Sequence, residues 1–400
     1  MEKIELLSPA GDFEKLKTSI YFGADACYFA GKKFGLRAFS GNFKDDELIE
    51  SVKYCHEKGV KCYITLNILA RNYDFEEMKD YVLFLSSINV DGVIVSDIGV
   101  EGLVKDLAPN LEIHISTQAN ITNKYSALEF VKLGAKRLVL ARELSIEEIK
   151  EIRDYLPKEI VLETFVHGAM CISYSGRCLL SNYLTNRDSN RGACVQACRW
   201  QYFLKAKDKE GEYEIQEDER GTYILNSKDL CMINYIKELY NAGIRSFKIE
   251  GRMKSPYYTA TVTNAYRRAI DAFYEGKELK EDLVQELEKT SHRKFTTGFY
   301  FESSDKECLE SSNPVQNAEF IAIVLEDTKD GYCLVQQRNR FKIGDSLEIL
   351  SPGENFNKKI IVRELLNTEK APVEDAYRVQ QPLYLKTDLN LKAGDILRRG

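Results

Sequence analysis

The 400-residue sequence predicts an α/β fold, a (β/α)8 TIM-like barrel followed by a small C-terminal β-barrel domain. Three observations carry this expectation. Short β-branched apolar runs alternate with amphipathic stretches of helical period. A glycine repeatedly stands just before a run, and from Ala318 onward the texture changes to alternating residues separated by hairpin signals.

The runs that read as strands are Ile4 to Ser8, Ala26 to Ala30, Cys62 to Ile68, Gly92 to Ser96, Glu112 to Ser116, Arg137 to Ala141, Ile160 to Val166 and Ser246 to Glu250. Between most of them lie helical stretches, among them Phe13 to Phe22, Asp45 to Lys58, Phe75 to Ile88, Lys124 to Leu133 and Ser145 to Leu156. Gly23, Gly59, Gly92, Gly134 and Gly243 punctuate the returns, where a left-handed residue ends a helix and feeds the next strand. Eight such units in about 250 residues are what a closed barrel needs. After the eighth run, Ser255 to Glu275 reads as a long helix with Arg267 and Arg268 on one side.

Residues 1–300 are therefore expected to form the barrel, with a cysteine-rich segment over 163–231, and residues 301–317 a linker. Residues 318–400 are expected to form the small β domain, with strands Phe320 to Leu325, Tyr332 to Gln336, Asp345 to Leu350, Lys358 to Glu364 and Leu383 to Lys386. Lys329-Asp330-Gly331 and Pro352-Gly353 supply turns. Lys342-Ile343-Gly344-Asp345 and Lys392-Ala393-Gly394-Asp395 repeat one another. The polar run Lys205 to Gly221 reads as a solvated hairpin.

A hydrophobic content of 44% with 30% charged residues marks a globular chain with an ample core. Met1 is followed by Glu2-Lys3 rather than an apolar signal region, and no apolar run approaches a membrane span. A cytoplasmic protein is expected. The formal charge of −6, from 62 acids against 56 bases, weighs against a nucleic-acid partner. Against that, Arg177, Arg187, Arg191, Arg199 and Lys254 cluster in sequence and can build a local basic face.

Candidate chemistry concentrates between Glu163 and Trp200, which hold four of the ten cysteines: Cys171, Cys178, Cys194 and Cys198. Cys231 follows as a fifth. In a reducing compartment such a gathering binds a metal or is reactive rather than bridged. Gaps of six residues (Cys171 to Cys178) and three (Cys194 to Cys198) leave an iron–sulfur cluster, zinc and buried or redox-active thiols all open. In a barrel, chemistry collects at the carboxyl ends of the strands. There the sequence places Asn67, Gln118, Arg142 with Glu143, His167, and Glu250 with Arg252. Arg142 and Glu143 also read as helix-entry charges, and Glu250 with Arg252 as a terminal ion pair. His114 reads as barrel-facing or core, and His56 and His292 as surface residues. No paired-histidine metalloprotease motif and no Gly-x-Ser-x-Gly elbow is present. A cysteine nucleophile with His167 as base is the remaining peptidase chemistry.

The run Glu163, Phe165, Gly168-Ala169-Met170-Cys171, Gly176, Cys178, Leu180-Ser181 resembles the signature of the collagenase-like peptidase family U-32. Leu7-Ser8-Pro9-Ala10-Gly11, Gly23-Ala24-Asp25, Ser116-Thr117-Gln118, Asn190-Arg191-Gly192 and Lys248-Ile249-Glu250-Gly251-Arg252 resemble further family blocks. The resemblance implies a 4Fe-4S cluster and oxygen-independent, prephenate-dependent hydroxylation of the wobble uridine of tRNA to 5-hydroxyuridine. Ribosomal RNA or a quinone precursor as substrate, a collagenase-like peptidase and a non-catalytic scaffold subunit are the alternatives. The ligands it implies are Cys171, Cys178, Cys194 in preference to Cys198, and Cys231. Catalytic candidates are then His167, Glu250, Arg252 and Glu163, and substrate-binding candidates Arg142, Gln118, Asn67, Arg177 and Arg191. Partners implied are tRNA, despite the acidic balance, and a second protein of the same family; no membrane is expected.

Overall fold

The computed structural model describes all residues except 37–40, 172, 201–216, 219–220, 223–226, 279–281 and 302–313. Most of the expected charged hairpin and most of the expected linker lie outside the described residues; within the hairpin, Glu217–Asp218 pairs with Gly221–Thr222.

Eight parallel strands close a barrel. They are β1 (Glu5–Pro9), β2 (Ala26–Phe29), β3 (Lys61–Leu66), β4 (Gly92–Val95), β5 (Glu112–Ile115), β6 (Arg137–Val139), β7 (Val161–Ala169) and β8 (Ile244–Ile249). Closure comes from β8, which pairs with β7 on one side and β1 on the other. The intervening helices are α1 (Phe13–Tyr21), α2 (Asp45–Glu57), α3 (Phe75–Ser87), α4 (Ile98–Leu107), α5 (Lys124–Leu133) and α6 (Ile146–Tyr155). Their caps follow the sequence: Asp12, Asp97, Asn123 and Ser145 accept backbone N–H groups of the first turn. The helix α4 carries Gly99 and Gly102, which lower its intrinsic propensity, and tertiary packing of Val100 and Val104 on the core holds it.

The barrel interior is charged as well as apolar. Glu163, fully buried, accepts from Lys248 Nζ at 2.7 Å, Arg137 Nη1 at 2.9 Å and Ser246 Oγ at 3.0 Å. Arg137 also pairs with Glu5, whose carboxylate receives Tyr63 Oη at 2.8 Å. Burial raises the Glu163 carboxyl, but Lys248 and Arg137 outweigh it and bring the group down to about 2. A buried carboxylate is tolerable only when paired and hydrogen-bonded in this way. His114 lies in the same interior, its ring 4.5 Å from that of Tyr63. His292, expected at the surface, is instead 7% exposed: its ring stacks on Phe295 and its Nδ1 hydrogen-bonds the Thr290 carbonyl at 2.8 Å.

After β8 the chain enters α8 (Pro256–Glu275), with Ser255 as N-cap and Gly276 in the left-handed conformation at its end. Arg267 and Arg268 diverge, as helical neighbours 100° apart must. Arg267 pairs with Asp25, while Arg268 lies over the Phe356 ring of the second domain. That domain is an antiparallel eight-stranded sheet, a half-barrel in which Glu319–Val324, Tyr332–Gln337 and Pro382–Lys386 are neighbours. Asp330 and Gly331 both have positive φ in the tight turn between the first two. The repeated Lys-x-Gly-Asp segments form the same turn twice: Asp345 accepts the Lys342 N–H at 3.0 Å and Asp395 the Lys392 N–H at 2.9 Å. Phe22, Tyr257, Leu350 and Ile396 form an apolar cluster shared by the two domains.

Candidate active site at the barrel mouth

The cysteine segment leaves the carboxyl end of β7 and crosses the mouth. Its beginning is tied to the β6 end: Arg142 Nη1 donates to the Ala169 carbonyl at 2.8 Å, and Glu143 accepts the Ser175 N–H at 2.8 Å. These two residues, which also read as helix-entry charges, therefore fasten the segment. Gly176, at φ +72°, sits where an added Cβ would meet the Gln118 carbonyl at 2.0 Å, so only glycine permits this approach. A short helix, α7 (Leu180–Thr185), follows. Beyond it Asn190 donates to the Cys178 carbonyl at 3.0 Å, and the Leu69 N–H donates to the Asn190 carbonyl at 2.8 Å. Arg191 grips Asp74 through two bonds of 2.8 and 3.0 Å. The segment is thus landed on the β3–α3 connection, across the barrel from β7.

Beneath it lies a cavity of about 510 Å³. Cys171, Cys178, Cys194 and Cys198 all line it. Burial raises the Cys198 thiol, with the neighbouring thiols Cys171, Cys194 and Cys178 adding to the rise and Arg199 opposing it. Four thiols that feel one another around one cavity suit a soft metal centre. No three of the four gather within the 4.8 Å that would suit one ion, among the described residues; a cubane, with separate iron corners, asks for a wider spacing.

Cys231, expected as the fourth ligand, stands elsewhere. It lies on the short strand Asp229–Cys231, buried against Tyr266 and within the main core, and burial pushes its thiol up to about 11. Cys198 takes its place on the cavity wall. His167 is also displaced from expectation. The β7–β8 register runs Lys248 to Phe165 and then Ile249 to His167, a bulge that skips Val166. The skip reverses the alternation, so Phe165 faces the cavity and His167 faces outward. There its ring sits among Tyr258, Tyr266 and Phe295, and burial lowers it to about 3. Glu163, below the cavity, is consumed by the interior network.

Among the remaining candidates, Asn67, Gln118, Arg142, Glu250 and Arg252 do line the cavity. Asn67 Nδ2 donates to Ser116 Oγ at 3.3 Å. Arg252 is 4% exposed and donates to Thr65 Oγ1 at 3.2 Å. Glu250 comes within 3.8 Å of Arg142, whose guanidinium lies over the Phe165 ring. Arg191 is spent on Asp74, and Arg177 is exposed outside the cavity. Lys248 and Arg293 join the lining without having been singled out; Lys248 had a legible signal, its alternation with Ser246 and Glu250 along β8, while Arg293 had none. With Lys248 and Arg293 paired to Glu163 and Asp229, the other charges of the lining are four cations, Arg142, Arg199, Arg252 and Lys254, against two carboxylates, Glu143 and Glu250. Such a cavity favours a small anion with several acceptor oxygens. No histidine lines it, among the described residues.

Residues 11–310 match the family described as Peptidase family U32, and residues 316–398 its C-terminal domain. The chain belongs to peptidase family U32. Within that family it is 38% identical to "tRNA hydroxylation protein P1" of Bacillus subtilis, over 100% of this chain and 95% of that one. It is 34% identical to "tRNA hydroxylation protein P" of Escherichia coli, over 98% and 96% of the two chains. It is also 34% identical to a protein named "Collagenase" from Porphyromonas gingivalis, over 74% and 73%. No helix among the described residues is long and apolar enough to cross a membrane.

Proposed function

We propose that this U32 chain is an iron–sulfur protein required for oxygen-independent, prephenate-dependent hydroxylation of the wobble uridine of tRNA. The observation that carries the reading is the meeting of four cysteines with a cation-rich cavity at the barrel mouth, in a chain similar along its whole length to proteins named for tRNA hydroxylation.

Cys171, Cys178, Cys194 and Cys198 are the residues that would hold a 4Fe-4S cluster; when bound, the cluster supplies electron transfer or Lewis acidity. The chain's own residues do the rest. Arg252, Arg142 and Arg199 bind the carboxylates of the prephenate-like donor through charge-assisted bonds. Lys254, its ammonium disfavoured by burial, adds charge to the same wall. Glu250 is the cavity carboxylate placed to take a proton, and Asn67 and Gln118 offer hydrogen bonds to a base edge. Tyr174 on the cavity wall, and Tyr183 and Trp200 further along the same segment, are 62%, 81% and 43% exposed, and stacking on such rings is how unpaired bases are held. Arg177 beside them meets backbone phosphates, so a local basic face serves the RNA despite the net charge of −6. The cytoplasm, where tRNA resides, is the compartment this reading implies, and a second protein of the same family is a candidate partner.

The test is nucleoside analysis of tRNA from a deletion strain complemented with either the wild-type chain or a Cys198→Ala chain. Restoration of 5-hydroxyuridine by the wild type alone is the expected result. Undiminished 5-hydroxyuridine in the uncomplemented deletion strain would overturn the reading.

A further inference from the structure

The opposite end of the barrel carries a second constellation. His56 on the last turn of α2, Cys62 at the start of β3 and Asp91 just ahead of β4 bring Nε2, Sγ and a carboxylate oxygen within 4.8 Å of one another. The edges of this triangle are 3.0 Å (Nε2 to Oδ2), 3.4 Å (Sγ to Oδ2) and 3.9 Å (Sγ to Nε2). Zinc bound tetrahedrally, at about 2.3 Å to sulfur and about 2.0–2.1 Å to nitrogen and oxygen, holds such atoms about 3.3–3.6 Å apart. Each edge therefore needs to move by only a few tenths of an ångström.

Two features show that the group is built and reachable. Asp91 Oδ2 also accepts the Cys62 N–H at 2.9 Å, which fixes the carboxylate beside the sulfur. The His56 and Asp91 side chains are 40% and 28% exposed, so an ion has a route in from solvent. A catalytic thiol relay is the other chemistry these three residue types suggest, and the geometry excludes it. Sulfur and carboxylate both face the same nitrogen, Nε2, whereas a relay needs one on each nitrogen of the ring. Cys62 is moreover 0% exposed, out of reach of a peptide.

We propose that His56, Cys62 and Asp91 form a binding site for a zinc-class divalent cation, with water completing the tetrahedron. Mixed thiolate, imidazole and carboxylate donors suit zinc, and the ion ties the end of α2 to the amino ends of β3 and β4. The site owes nothing to the mouth chemistry.

The full-length protein is incubated with Zn²⁺ alone, desalted, and its bound zinc counted, alongside the variants His56→Ala and Asp91→Asn. A further variant combines Cys171→Ser, Cys178→Ser, Cys194→Ser and Cys198→Ser, which removes the mouth thiols. The wild type and the mouth variant are expected to retain about one zinc per chain, with affinity weakened about tenfold or more in His56→Ala and Asp91→Asn. Because His56 is exposed, its alanine variant keeps the fold, and zinc should raise Tm in the wild type but not in that variant. Equal zinc retention by wild type and His56→Ala, or zinc lost only when the mouth thiols are changed, overturns the proposal.

Discussion

The interior of the barrel and its mouth are built from the same kinds of side chain, yet they handle charge in opposite ways. In the interior, Glu163 has both oxygens taken by Lys248, Arg137 and Ser246. Just beyond β8, the mouth sets the four cations Arg142, Arg199, Arg252 and Lys254 against two carboxylates, and its Glu250 reaches Arg142 only at 3.8 Å. A charge network that balances itself contributes to the folded state and asks for nothing more. A surplus of one sign is a site whose balance is completed by what binds there. Position along a strand, not residue type, separates the two.

The sharpest way to test this division is through the cysteines. Alanine at Cys171, Cys178, Cys194 or Cys198 should abolish bound iron and acid-labile sulfide after anaerobic purification, whereas Cys231→Ala should leave both in place. Iron lost in Cys231→Ala and retained in Cys198→Ala would move the mouth's boundary into the core. The next largest effect belongs to the interior. Glu163→Gln leaves buried Lys248 without its carboxylate and Arg137 with Glu5 alone, and should cost about 3–5 kcal/mol in denaturant unfolding, with iron per folded chain unchanged. The same pair sets an acid limit. A carboxyl held near 2 when folded and at its ordinary 4.5 when unfolded stabilises fully above pH 4.5 and loses that contribution as pH falls toward 2. His167, held neutral by burial, acts in the same direction below its ordinary 6.5. Acid unfolding monitored by circular dichroism should therefore show a smaller loss of stability between pH 4.5 and 2 in Glu163→Gln than in the wild type, flattening the profile. The smallest effect is at the mouth: Arg252→Ala removes charge-assisted bonds of about 1.5–3 kcal/mol, so hydroxylation should fall about 10–100-fold through KM for the anionic donor. An unchanged KM would break the assignment of the cation surplus to that ligand.

The barrel was legible because its eight apolar runs are short, β-branched and separated by helical period, signals that are local in sequence. The cysteine segment was legible as a location for the same reason. What could not be read was which thiols converge. Cys231 and Cys198 differ in whether the backbone turns them toward the cavity, and the pairing of Asp229–Cys231 with β7 sends Cys231 into the core. His167 failed through one skipped residue: strict alternation from Glu163 and Phe165 points it inward, and the bulge at Val166 points it outward. Arg191, read as a substrate contact, has its fork matched to Asp74, a partner 117 residues away in sequence that no local pattern announces.

That grip on Asp74 has a mechanical consequence. With one end rooted in β7 and the other bolted to the β3–α3 connection, the cysteine segment is a beam laid across the full width of the opening rather than a flap hinged at its edge. A beam divides the opening and does not swing aside. Its thiols therefore hold fixed places at the opening, Cys171 exposed and Cys178, Cys194 and Cys198 half-buried.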